Sequence, residues 1–257
     1  MKRLSLIWLV LSFVLSLNAQ TSLVVNGDTI NKTDSKNLKQ GFWLETENSL
    51  VSKGKYVGGS KDGMWITYNT KGLVNKIEVY KKGIKDGIFV SLDEAGNLKS
   101  EVTYCNDTLH GPYKTYASGG RLLIDATYKH GLLEGIKKGY YENNSKLLEE
   151  SSYSKGLREG SSKYYDTEGK LIAEYNYKNG KFEGINKSYY ASGNVQSEEI
   201  CVNNLKTGVY KEYFDSSPAK IKIMGNYVND MKDGKWQEFD ETGKLIKTSI
   251  FVKGVEK

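Results

Sequence analysis

The chain has 257 residues and a formal net charge of +6, with 19 tyrosines and 27 glycines but only two prolines. This charge is too mild to indicate a nucleic-acid-binding protein, and the abundance of glycine and tyrosine predicts β-strands joined by tight turns. The aliphatic residues are scattered singly along the chain, which argues against one large hydrophobic core.

The first segment, residues 1–19, has the features of a secretory signal peptide. Two basic residues at positions 2 and 3 precede an apolar run over 4–17, and Asn18-Ala19 forms a small-residue cleavage site. The run is too short to cross a bilayer comfortably, and no cysteine near the cleavage site could carry a lipid anchor. We therefore predict an exported protein that is periplasmic or extracellular, either soluble or attached peripherally to the envelope.

The second segment, residues 20–40, differs from the repetitive chain that follows it. Asn26-Gly27 separates two short runs of β-forming residues, and this dipeptide is typical of a two-residue hairpin turn. Terminal units of repeat arrays are often atypical, so we predict an N-terminal capping segment here.

Residues 41–257 form a repeat array, because one glycine recurs every 22 to 26 residues. These anchor glycines are Gly41, Gly63, Gly87, Gly111, Gly135, Gly160, Gly184, Gly208 and Gly234. A fixed period of this length indicates stacked structural units rather than one globule.

Most units carry three columns of apolar residues at fixed distances from the anchor glycine. Aromatic residues lie five positions after the anchor, aliphatic residues eleven positions after it, and a second set of aromatic residues seventeen positions after it. Turn residues separate the runs, so each unit is one hairpin and no run is long enough for a helix. We predict an all-β fold, an elongated antiparallel meander of about nine stacked β-hairpin repeats of about 24 residues. Such a single-layer twisted ribbon of eighteen strands would be about 85 Å long.

The array resembles a known repeat family. Two units carry its motif of glycines, aromatic residues and leucine most fully: Gly160, Tyr165, Gly169, Leu171, Glu174, Tyr177 and Gly180, and Gly234, Trp236, Phe239, Gly243, Leu245, Phe251 and Gly254. The pattern is similar to the MORN repeat, and more closely to its bacterial variant form. The resemblance implies a scaffold or attachment module, and some variant members are labelled antitoxin components of toxin–antitoxin pairs. Choline-binding and glucan-binding cell-wall repeats use aromatic hairpins of similar length, but they are usually richer in tryptophan and poorer in lysine and glutamate.

Lysine recurs three positions after the anchor and forms the candidate binding stripe together with the first aromatic column. The stripe consists of Lys114, Lys138, Lys163, Lys187, Lys211, Tyr116, Tyr140, Tyr165, Tyr189 and Tyr213. Alternation along a strand predicts that these lysines and tyrosines share one face. It places an acidic column on the opposite face: Glu101, Asp125, Glu149, Glu174 and Glu198. The stripe is either a groove for an acidic ligand, or a set of lysine stems that cover tyrosine rings and keep a thin sheet soluble.

Aromatic rings also lie two positions after the anchor in the outer units, as Trp43, Trp65 and Trp236 show. They would either mark partner contacts or be buried by the curvature of the ribbon itself.

Carboxylates precede six of the anchor glycines, and we expect them to form hydrogen bonds near turns, because successive units are about 9.6 Å apart and too distant to share a metal ion. Cys105 and Cys201 lie four units apart, so we expect two free thiols.

No motif in the chain is typical of a catalytic site, a metal site or a cofactor site. Our leading hypothesis is a non-enzymatic exported scaffold that binds another protein. One alternative is binding of phospholipid headgroups or an anionic envelope polysaccharide through the lysine and tyrosine stripe. A second alternative is an antitoxin or immunity-type protein that acts outside the cytoplasm. We expect no nucleic-acid partner.

Overall fold

The computed structural model describes residues 23–25 and 28–257, and this part of the chain contains strands and turns but no helix. The predicted signal peptide, residues 1–19, and the Asn26-Gly27 turn lie outside the described residues. The first thirteen strands are β1 Leu23–Val25, β2 Asp28–Ile30, β3 Lys32–Thr33, β4 Lys39–Glu47, β5 Leu50–Val57, β6 Ser60–Tyr68, β7 Val74–Lys81, β8 Ile84–Lys85, β9 Gly87–Leu92, β10 Leu98–Cys105, β11 Thr108–Tyr116, β12 Leu122–Lys129 and β13 Leu132–Leu133. The remaining strands are β14 Gly135–Tyr140, β15 Leu147–Ser154, β16 Leu157–Tyr165, β17 Leu171–Lys178, β18 Lys181–Phe182, β19 Gly184–Tyr189, β20 Val195–Val202, β21 Leu205–Lys206, β22 Gly208–Tyr213, β23 Ile221–Val228, β24 Met231–Phe239, β25 Leu245–Val252 and β26 Val255–Glu256.

Strands β3 to β26 form one antiparallel sheet in which spatial order follows chain order. The sheet is open, because within the described residues β3 pairs only with β4 and β26 pairs only with β25. This meander of hairpins confirms the predicted all-β repeat ribbon. Strands β1 and β2 pair with each other in antiparallel fashion, with Leu23 opposite Ile30.

A β-bulge lies beside the anchor glycine in four units, at Gly63, Gly111, Gly160 and Gly234. All nine anchor glycines have a φ angle between 70° and 133°, a region that side chains disfavour. At Gly111, for example, the ladder changes register between the pairs Val102–Tyr113 and Tyr104–Leu109. A second bulge lies twelve positions after most anchors, where Leu171 pairs with Tyr165 but Ala173 pairs with Tyr164. Bulges increase the local twist of a strand pair, so the repeated bulges also repeat the twist.

The second turn of each unit is a two-residue turn with left-handed backbone at both positions. Asn179 and Gly180 have φ angles of 51° and 78°, as a type I′ hairpin turn requires. The carboxylate that precedes the anchor accepts a hydrogen bond from this turn: the Asn179 amide donates to Oε2 of Glu159 at 2.7 Å. Asp62, Glu134, Glu183 and Asp233 accept equivalent bonds in their own units. These bonds confirm the predicted turn role for five of the six carboxylates of the column.

The two faces of the sheet differ in chemistry. We call the side that carries the residues two and four positions after each anchor the aromatic face, and the side that carries the residues one, three and five positions after it the charged face. In units of regular length, such as the one at Gly160, residue seventeen lies on the aromatic face and residue eleven on the charged face. On the aromatic face, Trp43, Trp65 and Trp236 are only 2%, 1% and 4% exposed. Trp43 and Trp65 both pack edge-on against Tyr56, with ring centroids 5.7 and 4.9 Å apart. The ribbon therefore buries these aromatic rings with its own side chains, which confirms the second of our two interpretations.

Candidate binding face

The ten residues of the predicted stripe lie on the charged face, arranged in rows that run across the strands. Lys163 and Tyr165 are two residues apart on β16, so their side chains project from the same side of the sheet. The row of tyrosines pairs with the aliphatic column, since Tyr165 lies opposite Leu171 and Tyr189 lies opposite Val195. The lysines occupy the neighbouring row.

Lysines alternate with carboxylates along this neighbouring row. Starting from β10, each of the following residues lies directly opposite the next: Glu101, Lys114, Asp125, Lys138, Glu150, Lys163, Glu174, Lys187, Glu198 and Lys211. We call these ten residues the charge row. Directly opposed residues in an antiparallel pair point to the same side, so every inner lysine lies between two carboxylates. The charge row is therefore balanced, with five positive and five negative side chains.

The predicted separation of a basic face from an acidic face is wrong. Strict alternation from Leu171 would place Glu174 on the opposite face, but the bulge beyond Leu171 adds one residue and returns Glu174 to the side of Lys163. Glu149 is a further exception. Its turn is one residue longer, so Glu150 occupies the charge row while Glu149 lies on the aromatic face beside Gly139.

Two pairs within the charge row are close enough to be ion pairs. Lys138 and Glu150 are 3.3 Å apart, and Lys187 and Glu198 are 2.9 Å apart. The hydrogen bond to Glu150 raises the pKa of Lys138, and the hydrogen bond from Lys187 lowers the pKa of Glu198. Among the described residues, the other three lysines of the row, Lys114, Lys163 and Lys211, form no ion pair.

The hydroxyls of three tyrosines of the stripe, Tyr116, Tyr189 and Tyr213, donate to carboxylates of the charge row. Tyr116 donates to Glu101 at 2.5 Å, and Tyr213 donates to Glu198 at 2.9 Å. Burial, and then the bonded carboxylate, raises the pKa of both tyrosines to about 12. The tyrosines are therefore neutral donors at physiological pH, and their rings are held in place along the row.

A row of exposed apolar side chains borders the charge row on its other side. These residues lie one position after the anchor and are between 45 and 66% exposed: Phe42, Met64, Ile88, Ile136, Ile185 and Val209. Each shares its strand and its side of the sheet with the residue two positions later, for example Ile136 with Lys138 on β14. The charged face thus presents three parallel rows, which are apolar, charged, and mixed tyrosine and aliphatic.

The aromatic face carries a row of cations that the sequence analysis missed. Lys232 lies 4.3 Å from the ring centroid of Trp236 and 5.1 Å from that of Phe251. Lys61 covers Trp65 and Tyr80 in the same way, at 4.4 and 5.3 Å. Lys39, Lys85, Arg158 and Lys206 make equivalent contacts. The signal in the sequence is a lysine or arginine two residues before six of the nine anchors, and the cation–π contact is its physical reason.

Four segments of the chain match the family model described as the MORN repeat variant, at residues 85–106, 158–179, 182–204 and 232–253. These four segments are MORN-variant repeats. Each matched segment begins two residues before an anchor glycine and ends at or just after the second turn of its unit, so one MORN unit corresponds to one hairpin. MORN repeats are in general modules that bind proteins or membrane lipids.

No curated protein sequence matches the chain at a significant level. Within the described part of the chain, no helix has the length and apolarity needed to span a membrane.

The MORN unit that starts at Gly160 combines aromatic packing with a polar network on the aromatic face. Its cation is Arg158, which donates to Glu149 at 2.7 Å and to the hydroxyls of Tyr153 and Tyr177 at 3.3 Å. Burial alone would raise the pKa of Glu149, but the bond from Ser151 and the charges of Lys137 and Arg158 hold it below its ordinary value. This network fills the centre of the aromatic face, where the outer MORN units carry tryptophan.

Both cysteines are free thiols, with Cys105 exposed and Cys201 buried on the aromatic face. The expected free thiols are confirmed, and Cys201 packs as a small buried side chain of which only 3% is exposed.

Proposed function

We propose that this protein is an exported, non-enzymatic scaffold that binds another protein through its charged face. The observation that carries the proposal is the charge row, which lies between a row of exposed apolar side chains and a row of tyrosines, three of which donate hydrogen bonds to its carboxylates. Apolar area, tyrosine rings and balanced charges are the materials of protein–protein interfaces.

The charge row gives little support to the alternative in which the protein binds an acidic surface, such as phospholipid headgroups or an anionic polysaccharide. Binding to phosphate groups requires a local excess of positive charge, whereas each inner lysine of the charge row has a carboxylate on both sides. The fields of such close opposite charges cancel within about one Debye length, roughly 8 Å at physiological salt. The charged face is matched better by a partner protein whose surface carries alternating charges and apolar patches.

Site-specific photo-crosslinking tests the choice of face and the class of partner together. A photoreactive amino acid at Ile136 or Ile185 lies on the charged face, and both positions are about half exposed. The matched control is Ile172, which is 41% exposed and is the unpaired residue of the bulge. Its equivalent in a later unit, Lys222, contacts Glu212 on the aromatic face. In source cells we expect protein adducts from the first two positions and none from the control.

A parallel flotation assay with vesicles of phosphatidylglycerol tests the lipid alternative. We expect the exported form, residues 20–257, not to float with these vesicles at physiological salt. Salt-sensitive flotation that is lost when Lys114, Lys138, Lys163, Lys187 and Lys211 are changed to serine, together with an absence of protein adducts, would overturn the proposal.

Export is tested separately by cell fractionation. We expect the full chain to be recovered outside the cytoplasm and shortened by about 19 residues at its N-terminus, as signal-peptide cleavage requires. A chain without residues 1–19 serves as the control and should stay in the cytoplasm. Recovery of the full-length chain in the cytoplasm would contradict export without affecting the choice of binding face.

A further inference from the structure

When the order of the charge row is reversed, each position carries the charge opposite to the one it had before. From β10 to β22 its ten residues begin with Glu101 and end with Lys211, and acidic and basic side chains alternate without interruption. Beyond each end the row continues with an apolar residue, Val90 before Glu101 and Met224 after Lys211. If the row is turned end for end and laid on itself, every lysine meets a carboxylate.

We propose that the partner of the charged face is a second copy of this chain, related by a two-fold axis that runs parallel to the strands between Glu150 and Lys163. This inference rests on the proposed function, because it names the protein that the charged face binds. A two-fold interface uses the same surface patch on both subunits, so the patch must be complementary to itself.

The axis produces five kinds of charge pair, each of which occurs twice. The pairs join one copy to the other as Glu150 with Lys163, Lys138 with Glu174, Asp125 with Lys187, Lys114 with Glu198, and Glu101 with Lys211. The three lysines that form no ion pair within the described chain, Lys114, Lys163 and Lys211, each gain a carboxylate partner in this arrangement.

The tyrosine row is complementary under the same axis. Tyrosines of this row alternate with the aliphatic residues opposite them, as Tyr140 does with Leu147 and Tyr165 with Leu171. Since the axis exchanges the strands of Lys138 and Glu174, it places Tyr140 of one copy on Leu171 of the other. It likewise places Tyr165 on Leu147. Each tyrosine ring of one copy therefore packs on an aliphatic side chain of the other copy rather than on another ring.

The alternative two-fold axis in the plane of the interface is excluded by charge. An axis along the length of the ribbon would leave the strand order unchanged and place each residue of the charge row on its own copy. Lys163 would then meet Lys163, and Glu174 would meet Glu174. Like charges in contact oppose association, so the row selects the axis parallel to the strands.

The surface is of the size that a specific dimer needs. Ten strands spaced by about 4.8 Å, with rows that span four residues of about 3.3 Å each, give about 600 Å² of projected area per copy. A standard protein interface uses about 800 Å² per partner, which is of the same order. Two twisted sheets also pack face to face with their strands roughly aligned, as this axis requires.

Paired charge-reversal variants test the dimer directly. The acidic variant carries Lys138→Glu, Lys163→Glu and Lys187→Glu, and the basic variant carries Asp125→Lys, Glu150→Lys and Glu174→Lys. The exported form and both variants are measured by sedimentation velocity and native mass spectrometry between about 1 and 200 μM. We expect the unchanged protein to form a dimer that weakens at high salt, each variant alone to be monomeric, and their equal mixture to form a heterodimer.

Each other outcome overturns the proposal. A monomer at the highest concentration, or a dimer that both variants retain, excludes the charged face as the site of self-association. Circular dichroism reports whether the triple variants fold, and if they do not, the single variants Lys163→Glu and Glu150→Lys carry the same expectation for the central pair.

The crosslinks at Ile136 separate the two proposals. An adduct with a different protein beside a monomeric chain removes the dimer and keeps the proposed function, whereas the absence of any adduct removes both.

Discussion

The indole ring of Trp236 on β24 lies flat against the backbone of Gly225 on the neighbouring strand β23, so that a Cβ atom at position 225 would overlap with the ring. Trp65 covers Gly54 in the same way near the other end of the array. The ring nitrogen of each tryptophan also donates to a backbone carbonyl of the covered strand, at Asn226 and Lys55 respectively. These two glycines are needed for space, whereas the anchor glycines are needed for backbone conformation.

Gly225→Ala should therefore destabilise the C-terminal units. The added methyl group displaces the indole ring, and overpacking of this kind costs about 1–3 kcal/mol. Urea unfolding followed by tryptophan fluorescence measures the change. Gly139→Ala is the matched control, because its Cβ would meet only the Cβ of Glu149 at 3.9 Å, and we expect a change of less than about 0.5 kcal/mol. Equal effects of the two substitutions would show that the ring contact is unimportant.

Lys232→Met should weaken the packing of Trp236 and Phe251. The substitution keeps most of the apolar stem but removes the charge above both rings, a loss of about 0.5–1 kcal/mol. Lys235→Met is the control, since Lys235 is an exposed lysine of the same strand on the charged face. We expect the unfolding midpoint to fall for the first variant and to stay within error for the second. A lower midpoint for both would assign the effect to net charge.

Glu159→Gln should loosen one turn without unfolding the array. The carboxylate of Glu159 accepts the amide of Asn179, and a hydrogen bond to a charged acceptor contributes about 1.5–3 kcal/mol. Hydrogen exchange by mass spectrometry should therefore show faster exchange over residues 179–182 than in the unchanged protein. Glu168→Gln, at a side chain that is 71% exposed, should leave the exchange pattern unchanged. Unchanged exchange in the first variant would mean that the turn forms independently of this carboxylate.

The sequence was informative about the fold because the repeat presents the same evidence nine times. The left-handed φ of Gly160 and the type I′ turn at Asn179-Gly180 are local requirements, and local requirements leave a residue signature. The composition of the binding face was harder to predict. A bulge has no residue signature of its own on the second strand, yet it decides whether Glu174 lies beside Lys163 or behind it. The contact of Lys232 with Trp236 was missed because its signal precedes the anchor, outside the hairpin columns.

Acid should destabilise the protein through carboxylates on both faces. The hydrogen bond from Lys187 holds the pKa of Glu198 below its ordinary value. Burial alone would raise the pKa of Glu149, but the hydrogen bond from Ser151 and the charges of Lys137 and Arg158 outweigh burial and hold this pKa below its ordinary value. A carboxylate with a lowered pKa contributes stability that is complete above the unfolded pKa of about 4.3, and this stability is lost as the pH falls through the folded pKa. We therefore expect the urea midpoint to be constant from pH 7 to about 5 and to decrease below it.

Glu149→Gln tests the acid prediction. The variant should be less stable than the unchanged protein at pH 7 and should lose less stability between pH 5 and 3, because one of the titrating groups has been removed. Glu168→Gln again serves as the control. A midpoint that falls equally steeply in all three proteins would assign the acid effect to groups other than Glu149.

The open sheet has a mechanical consequence. Its strands lie across the long axis, so the backbone hydrogen bonds that join them point along that axis from β3 to β26. A pulling force applied between Lys32 and Lys257 would load these bonds along their own direction and separate the strands one pair at a time. We therefore expect the chain to lengthen gradually at low force, hairpin after hairpin, and to behave as an extensible tether rather than a rigid strut.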